Sequence, residues 1–112
     1  MQLQSEKIGS VLVVKPFDRR MDASVAVDFK EKMASLINEG HDLVVLDMEG
    51  VDFIDSSGLG AIVSSLKTIG RKGDLVISGL QQTVMSMFKL TRMDRVFRIF
   101  QNRDEAVAAL SG

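Results

Sequence analysis

Two stretches, Leu43-Val44-Val45-Leu46-Asp47-Met48 and, after a short loop, Phe53-Ile54-Asp55-Ser56-Ser57-Gly58-Leu59-Gly60, decide the fold of this chain. Four consecutive aliphatics at 43–46 are the pattern of a strand covered on both faces. Beyond the 49–56 loop, Leu59, Ile62, Val63, Leu66 and Ile69 recur at helical spacing, so a helix begins near Ser57 and stops around Gly70 to Gly73. A buried strand feeding an amphipathic helix is the building unit of a parallel α/β sheet.

The same alternation extends in both directions. Residues 2–8 read as a strand, Gly9-Ser10 as a two-residue hairpin turn, and Val11-Leu12-Val13-Val14 as a second strand. Ala26, Phe29, Met33, Leu36 and Ile37 mark one face of a helix over 22–39, with Asp22 placed to cap its start and Gly40 its end. On the other side, Leu75-Val76-Ile77 is a short buried strand, and Val84, Met87, Phe88 and Thr91 stripe a shorter helix. Val96 to Phe100 then reads as a last strand and Arg103 to Leu110 as a final helix. The order β-β-α-β-α-β-α-β-α predicts an α/β fold, a single domain over residues 1–112 with a mixed five-stranded sheet and four helices. Right-handed crossovers make the pairing parallel, and the opening hairpin adds one antiparallel strand.

Composition narrows the chemistry. The 112 residues, 46% apolar and 26% charged, suffice for a hydrophobic core without staples. With six Phe and no Trp or Tyr, aliphatics and seven Met must fill the interior. The absence of cysteine excludes a disulfide framework, a thiolate nucleophile and a Cys-based zinc site. The single histidine, His41, sits in a Gly-His-Asp loop and is expected at the surface; the carboxylates show no metal-ligand spacing, so no cofactor is expected. No apolar run reaches the roughly 18–20 residues of a membrane span, and the first residues lack a signal-peptide profile. These features predict a cytoplasmic protein that does not insert into membranes.

Net charge is −1, but residues 1–56 carry 6 Lys/Arg against 11 Asp/Glu, whereas residues 57–112 carry 8 against 4. An acidic first half argues against nucleic acid, whose phosphates demand a basic surface. The tract Lys89, Arg92, Arg95, Arg98 and Arg103 is broken by Asp94 and has no stacking aromatics beyond Phe97 and Phe100. It reads as a solvated face or the rim of a protein interface. Met85 and Met93 fall off their helical stripe and offer an adaptable partner surface.

Catalytic patterns are missing. A triad built from Ser56 and His41 lacks the Gly-x-Ser-x-Gly elbow, and His41 should lie at the opposite edge of the sheet. Gly58-Leu59-Gly60-Ala61-Ile62-Val63 has Val63 where a dinucleotide fingerprint has its third glycine, and no Gly-Lys-Ser or Gly-Lys-Thr phosphate loop occurs. The residues point away from an enzyme. What remains is Asp55-Ser56-Ser57-Gly58 at a helix start, where unpaired N–H groups suit an anion. Ser56 or Ser57 can be a plain N-cap, contributing ~1 kcal/mol relative to alanine, or can carry a phosphoryl group. The residues alone leave both readings open, although one capping serine suffices and two hydroxyls beside an aspartate exceed that need.

The element order, the chain length and the run Phe53-Ile54-Asp55-Ser56-Ser57-Gly58-Leu59-Gly60 together resemble the STAS-domain anti-sigma factor antagonists over nearly the whole chain. Arg20-Met21-Asp22-Ala23 is similar to the segment through which such proteins enter their first helix. The resemblance implies that Ser56, directly after the aspartate, accepts a phosphoryl group from a serine-kinase anti-sigma factor, and that a PP2C-like phosphatase reverses the mark. It implies partner switching, with Asp22, Asp55, Ser57, Gly58 and Leu59 at the partner-binding surface and oligomeric state left open. A STAS subunit that is not phosphorylated and docks to a membrane transporter or lipid-transfer system is the alternative. One departure stands out: the family commonly has glycine where this chain has Arg19, and a non-glycine residue adopts positive φ only at a cost. The loop there is therefore expected to differ in shape.

Overall fold

A computed structural model describes residues 1–111; Gly112, the last residue of the expected domain, lies outside the described residues. The opening hairpin pairs β1 (Leu3–Ile8) with β2 (Val11–Pro16) antiparallel, with Ser5 opposite Val14. After a two-residue strand β3 (Arg20–Met21), helix α1 (Ala23–Asn38) leads to β4 (Leu43–Asp47). A second two-residue strand, β5 (Phe53–Ile54), delivers the chain to α2 (Ser56–Ile69), and β6 (Asp74–Ser78), α3 (Gln82–Leu90), β7 (Ile99–Phe100) and α4 (Arg103–Ser111) complete it. The main sheet runs β1-β2-β4-β6-β7, and every pair beyond the hairpin is parallel. The predicted α/β architecture, its five-stranded sheet and four helices, is present.

Side-chain alternation explains the continuous apolar runs. Leu12, Val14, Val44, Leu46, Leu75 and Ile77 project into one core shared with α1, α2 and α3, through Phe29, Met33, Ile62 and Phe88 among others. Val11, Val13, Val45 and Val76 project to the other face, where α4 covers them with Ala106 and Val107. Each central strand is thus buried on both sides, and each fully buried Leu, Ile or Phe contributes about 1.5–3 kcal/mol. Glu39 ends α1, and Gly40, in the left-handed region at φ +108°, turns the chain away, close to the expected stop.

Two differences from the sequence reading bear on function. The loop between β4 and α2 contains β5, which pairs parallel with β3 to form a separate two-stranded sheet, Arg20 opposite Phe53 and Met21 opposite Ile54. Two residues are too few to show periodicity, so neither strand is legible alone. At the other end, the expected strand over 96–100 shrinks to Ile99–Phe100. A 3-10 turn over Met93–Arg95 and the packing of the Phe97 ring against Phe88, edge to face with centroids 6.1 Å apart, bend the preceding residues out of the sheet.

Candidate functional site

The small β3–β5 sheet sets two helix starts side by side. Each of its strands is followed by an aspartate in extended conformation that caps the next helix: Asp22 for α1 and Asp55 for α2. Asp22 Oδ1 accepts hydrogen bonds from the Ser24 N–H (3.0 Å) and the Ser24 hydroxyl (2.5 Å). Asp55 works on both helices. Its Oδ1 accepts from the Gly58 N–H at 3.0 Å and its Oδ2 from the Ala23 N–H at 3.3 Å, so one carboxylate joins the starts of α2 and α1. The backbone adds an Asp55 N–H bond to the Met21 carbonyl at 3.2 Å.

The packing beneath is close. A Cβ on Gly58 would lie 2.1 Å from the Met21 carbonyl oxygen, so only glycine lets α2 approach β3 this tightly. Leu59 is buried in the main core. Around the rim, Arg19 donates through Nε (2.9 Å) and Nη2 (2.6 Å) to Asp52 Oδ2, and Thr83 of α3 donates its hydroxyl to the Asp52 carbonyl at 2.9 Å. The Arg20 guanidinium stacks 3.9 Å from the Phe53 ring centroid, and its Nε lies 3.5 Å from Asp22 Oδ2. The Asp22 carboxyl is held below the ordinary carboxylate range, chiefly by the Ser24 hydroxyl, with the Ser24 N–H and Arg20 assisting and partial burial opposing.

Ser56 and Ser57, the first two residues of α2, are both exposed, and their hydroxyls enter none of these hydrogen bonds among the described residues. The possibility that either serine caps the helix is therefore corrected: Asp55 is the cap. A carboxylate has two acceptor oxygens and is charged, which favours it at a helix start and lets it serve two helices. Both hydroxyls are left free, beside N–H groups at the first turn that have no helical partner.

The structure brings Asp22, Asp55, Ser56, Ser57, Gly58 and Leu59 into one corner. It separates them by depth: Ser56 and Ser57 face outward with Gly60, whereas Gly58 and Leu59 lie underneath and shape the surface. Sequence reasoning missed the Arg19–Asp52 and Arg20–Phe53 clamps; opposite charge at 19 and 52 was visible, but not the register that pairs them. Arg19 does not take a positive φ, since among the described residues Arg92 is the one non-glycine there, so the expected strain at Arg19 is absent. His41 precedes β4 and so lies at the far end of that strand from this corner; it is half-buried rather than exposed, with Nδ1 enclosed and unpartnered.

Comparison with known proteins gives a consistent result. The family model described as STAS domain matches residues 2–106. The anti-sigma-B factor antagonist of Bacillus subtilis (strain 168) is 28% identical over 80 residues, covering 70% of this chain and 72% of that protein. An anti-sigma-factor antagonist (STAS) domain protein from Planctomyces limnophilus superposes with a TM-score of 0.89 at 19% identity, over 98% of both chains. The Bacillus cell fate determinant SpoIIAA, solved in a phosphorylated form, superposes with a TM-score of 0.72 at 18% identity, over 96% of this chain and 98% of that one.

Proposed function

This chain belongs to the STAS-domain anti-sigma factor antagonists, and from that premise we propose that it is a cytoplasmic partner-switching regulator whose phosphoacceptor is Ser56. The single observation that carries the proposal is the free, exposed Ser56 hydroxyl at the first position of α2, next to an aspartate already committed to capping. A phosphorylated form of a structural relative is in keeping with it. In the unmodified state the corner formed by Ser56, Ser57 and Gly60, with Asp22 and Asp55 alongside, docks a serine-kinase anti-sigma factor and so releases that factor's target. Gly58 and Leu59 support this surface from below.

The kinase supplies ATP and the catalytic groups. The Ser56 Oγ forms a bond to the γ-phosphorus, the bond from that phosphorus to the β–γ bridging oxygen breaks, the hydroxyl proton passes to a base on the kinase, and ADP leaves. The product carries about −1.5 to −2 additional charges at neutral pH. The unpaired N–H groups of the first turn of α2 accommodate that charge without rearranging the fold. The partner, by contrast, meets a dianion beside two carboxylates, and a loss of about 3 kcal/mol weakens binding more than a hundredfold. A PP2C-like phosphatase returns the serine.

The test is incubation with the cognate kinase and ATP, read by intact mass. One phosphate is expected on the wild type and on Ser57→Ala, and none on Ser56→Ala. Ser56→Asp should lose the kinase while Ser56→Ala retains it. Modification confined to Ser57 would overturn the assignment, and equally tight binding of the kinase by both Ser56 variants would count against the electrostatic switch.

A further inference from the structure

The basic tract and Met85 are not absorbed by the Ser56 corner, and the structure places them together. Strand β7 is the last of the main sheet and has one neighbour, β6. The Ile77 N–H bonds to the Arg98 carbonyl (3.0 Å) and the Gly79 N–H to the Phe100 carbonyl (3.1 Å), so residues 98 and 100 turn their carbonyls toward β6. Strand alternation then turns the N–H and C=O of Ile99 outward, to an open edge. Alongside that edge stands α3, presenting Met85 and Lys89. Between helix and strand lies a groove of about 590 Å³, continued by a smaller hollow of about 230 Å³ that shares Met85, Ile99 and Phe100.

The groove has an apolar floor and a cationic rim. Met85 and half-exposed Val96 line it together with Ile99 and Phe100. Met93, the other methionine off the helical stripe, packs on the core instead and takes no part. On the rim, Arg98 is engaged by Asp74 at 2.8 Å, but Lys89 and Arg95 are exposed and have no ion pair among the described residues; the one acid lining the groove is Asp94. An open strand edge beside a helix wall is the arrangement that takes up an extended peptide as an added strand.

We propose that this groove is a second docking site, separate from the Ser56 corner, for an extended acidic segment of a protein partner. The backbone of that segment pairs with Ile99, its aliphatic side chains sit against Met85 and Val96, and its alternate carboxylates meet Lys89 and Arg95. The adaptable Met85 thioether accommodates aliphatics of different shape. The choice of an acidic occupant follows from the two exposed cations that have no ion-pair partner among the described residues, and the choice of peptide over nucleic acid from the scarcity of exposed aromatic faces on which bases could stack.

The experiment is a titration of the isotopically labelled 112-residue chain, followed by amide and methyl resonances, with short peptides of alternating Glu-Val, Lys-Val or Ser-Val sequence. The Glu-Val peptide is expected to shift the Ile99 amide and the Met85 methyl, to bind at least about tenfold more tightly than the Lys-Val peptide, and to weaken as salt rises. The double variant Lys89→Glu/Arg95→Glu alters two exposed side chains and should reverse the preference while the remaining resonances stay in place. No response at Ile99 at roughly millimolar Glu-Val peptide, an equal response to Lys-Val, or tighter binding of an oligothymidine probe would overturn the proposal. The double variant is also expected to accept phosphate at Ser56 and to bind the kinase as the wild type does. Loss of kinase binding in it would merge the groove with the switch surface and overturn the claim of a separate site, whereas failure of Ser56 phosphorylation in both proteins would count against the phosphoacceptor alone.

Discussion

The starts of α1 and α2 are built alike and capped differently. Paired in parallel, Arg20-Met21-Asp22-Ala23-Ser24-Val25 and Phe53-Ile54-Asp55-Ser56-Ser57-Gly58 place an aspartate at each cap and a serine at the second helical position of each. In α1 the cap is closed on itself, because Asp22 binds both the N–H and the hydroxyl of Ser24. In α2 the cap is turned inward: Asp55 binds its third N–H and reaches across to Ala23, leaving Ser56 and Ser57 free. A helix start becomes available for modification when its cap is satisfied without its hydroxyls.

The largest expected effect breaks the comparison at the third helical position, Val25 in α1 and Gly58 in α2. Gly58→Ala drives a methyl group into the Met21 carbonyl, which neither backbone can easily yield. It should cost about 3 kcal/mol in chemical denaturation and displace the start of α2, so that phosphorylation of Ser56 slows in the molecules that remain folded. An unchanged denaturation midpoint would mean that the close approach of α2 to β3 is not real. Next in size is Asp55→Ala, which strips two helix starts of one acceptor each and should cost about 2 kcal/mol. Asp22→Ala removes the cap of one helix and should cost less. Equal losses would show that the Asp55–Ala23 bond does not contribute.

This asymmetry shows how far the sequence can be read. The strands and helices of the main sheet were legible because Val44, Leu46, Ile62 and their neighbours repeat at periods that only one geometry satisfies. The aspartate and serines at 55–57 were legible as a helix start, and the resemblance singled out Ser56. Which side chain capped the helix was not legible, since aspartate and serine are comparable caps and the choice depends on Ala23, a residue distant in sequence that β3–β5 pairing brings near. The Arg19–Asp52 and Arg20–Phe53 clamps were hidden for the same reason. Depth was hidden too: Gly58, Leu59 and Gly60 are consecutive, yet two are buried and one is bare.

Gly60 sharpens the comparison at a smaller scale. Its counterpart in α1 is Val27, a side chain 67% exposed, whereas a Cβ at Gly60 would meet nothing within 4 Å. Gly60→Ala should therefore stabilise the fold by up to about 1 kcal/mol through helix propensity, seen as a higher denaturation midpoint. If Gly60 belongs to the partner surface, the same variant should bind the kinase more weakly despite its greater stability. A more stable variant with unaltered kinase affinity would place the interface elsewhere on α2.

The smallest effect is in the acid dependence of the closed cap. The Asp22 carboxyl titrates below its ordinary value of 3.8 in the folded chain. Its charge therefore contributes stability that is fully present above the unfolded pKa and is lost as pH falls through the lower folded value. Asn is also a good N-cap, so the difference between wild type and Asp22→Asn isolates the charge. That difference should be constant at neutral pH and close as the pH drops below 3.8. The causes can be ranked by following the Asp22 carboxyl resonance through an acid titration. Because the Ser24 hydroxyl is the largest contributor and Arg20 a lesser one, Ser24→Ala should return Asp22 toward 3.8 further than Arg20→Ala does. The reverse order would mean that the cap is held by the arginine at its rim rather than by the serine inside it, and α1 would then be closed by a contact that α2, with Phe53 in the equivalent place, cannot make.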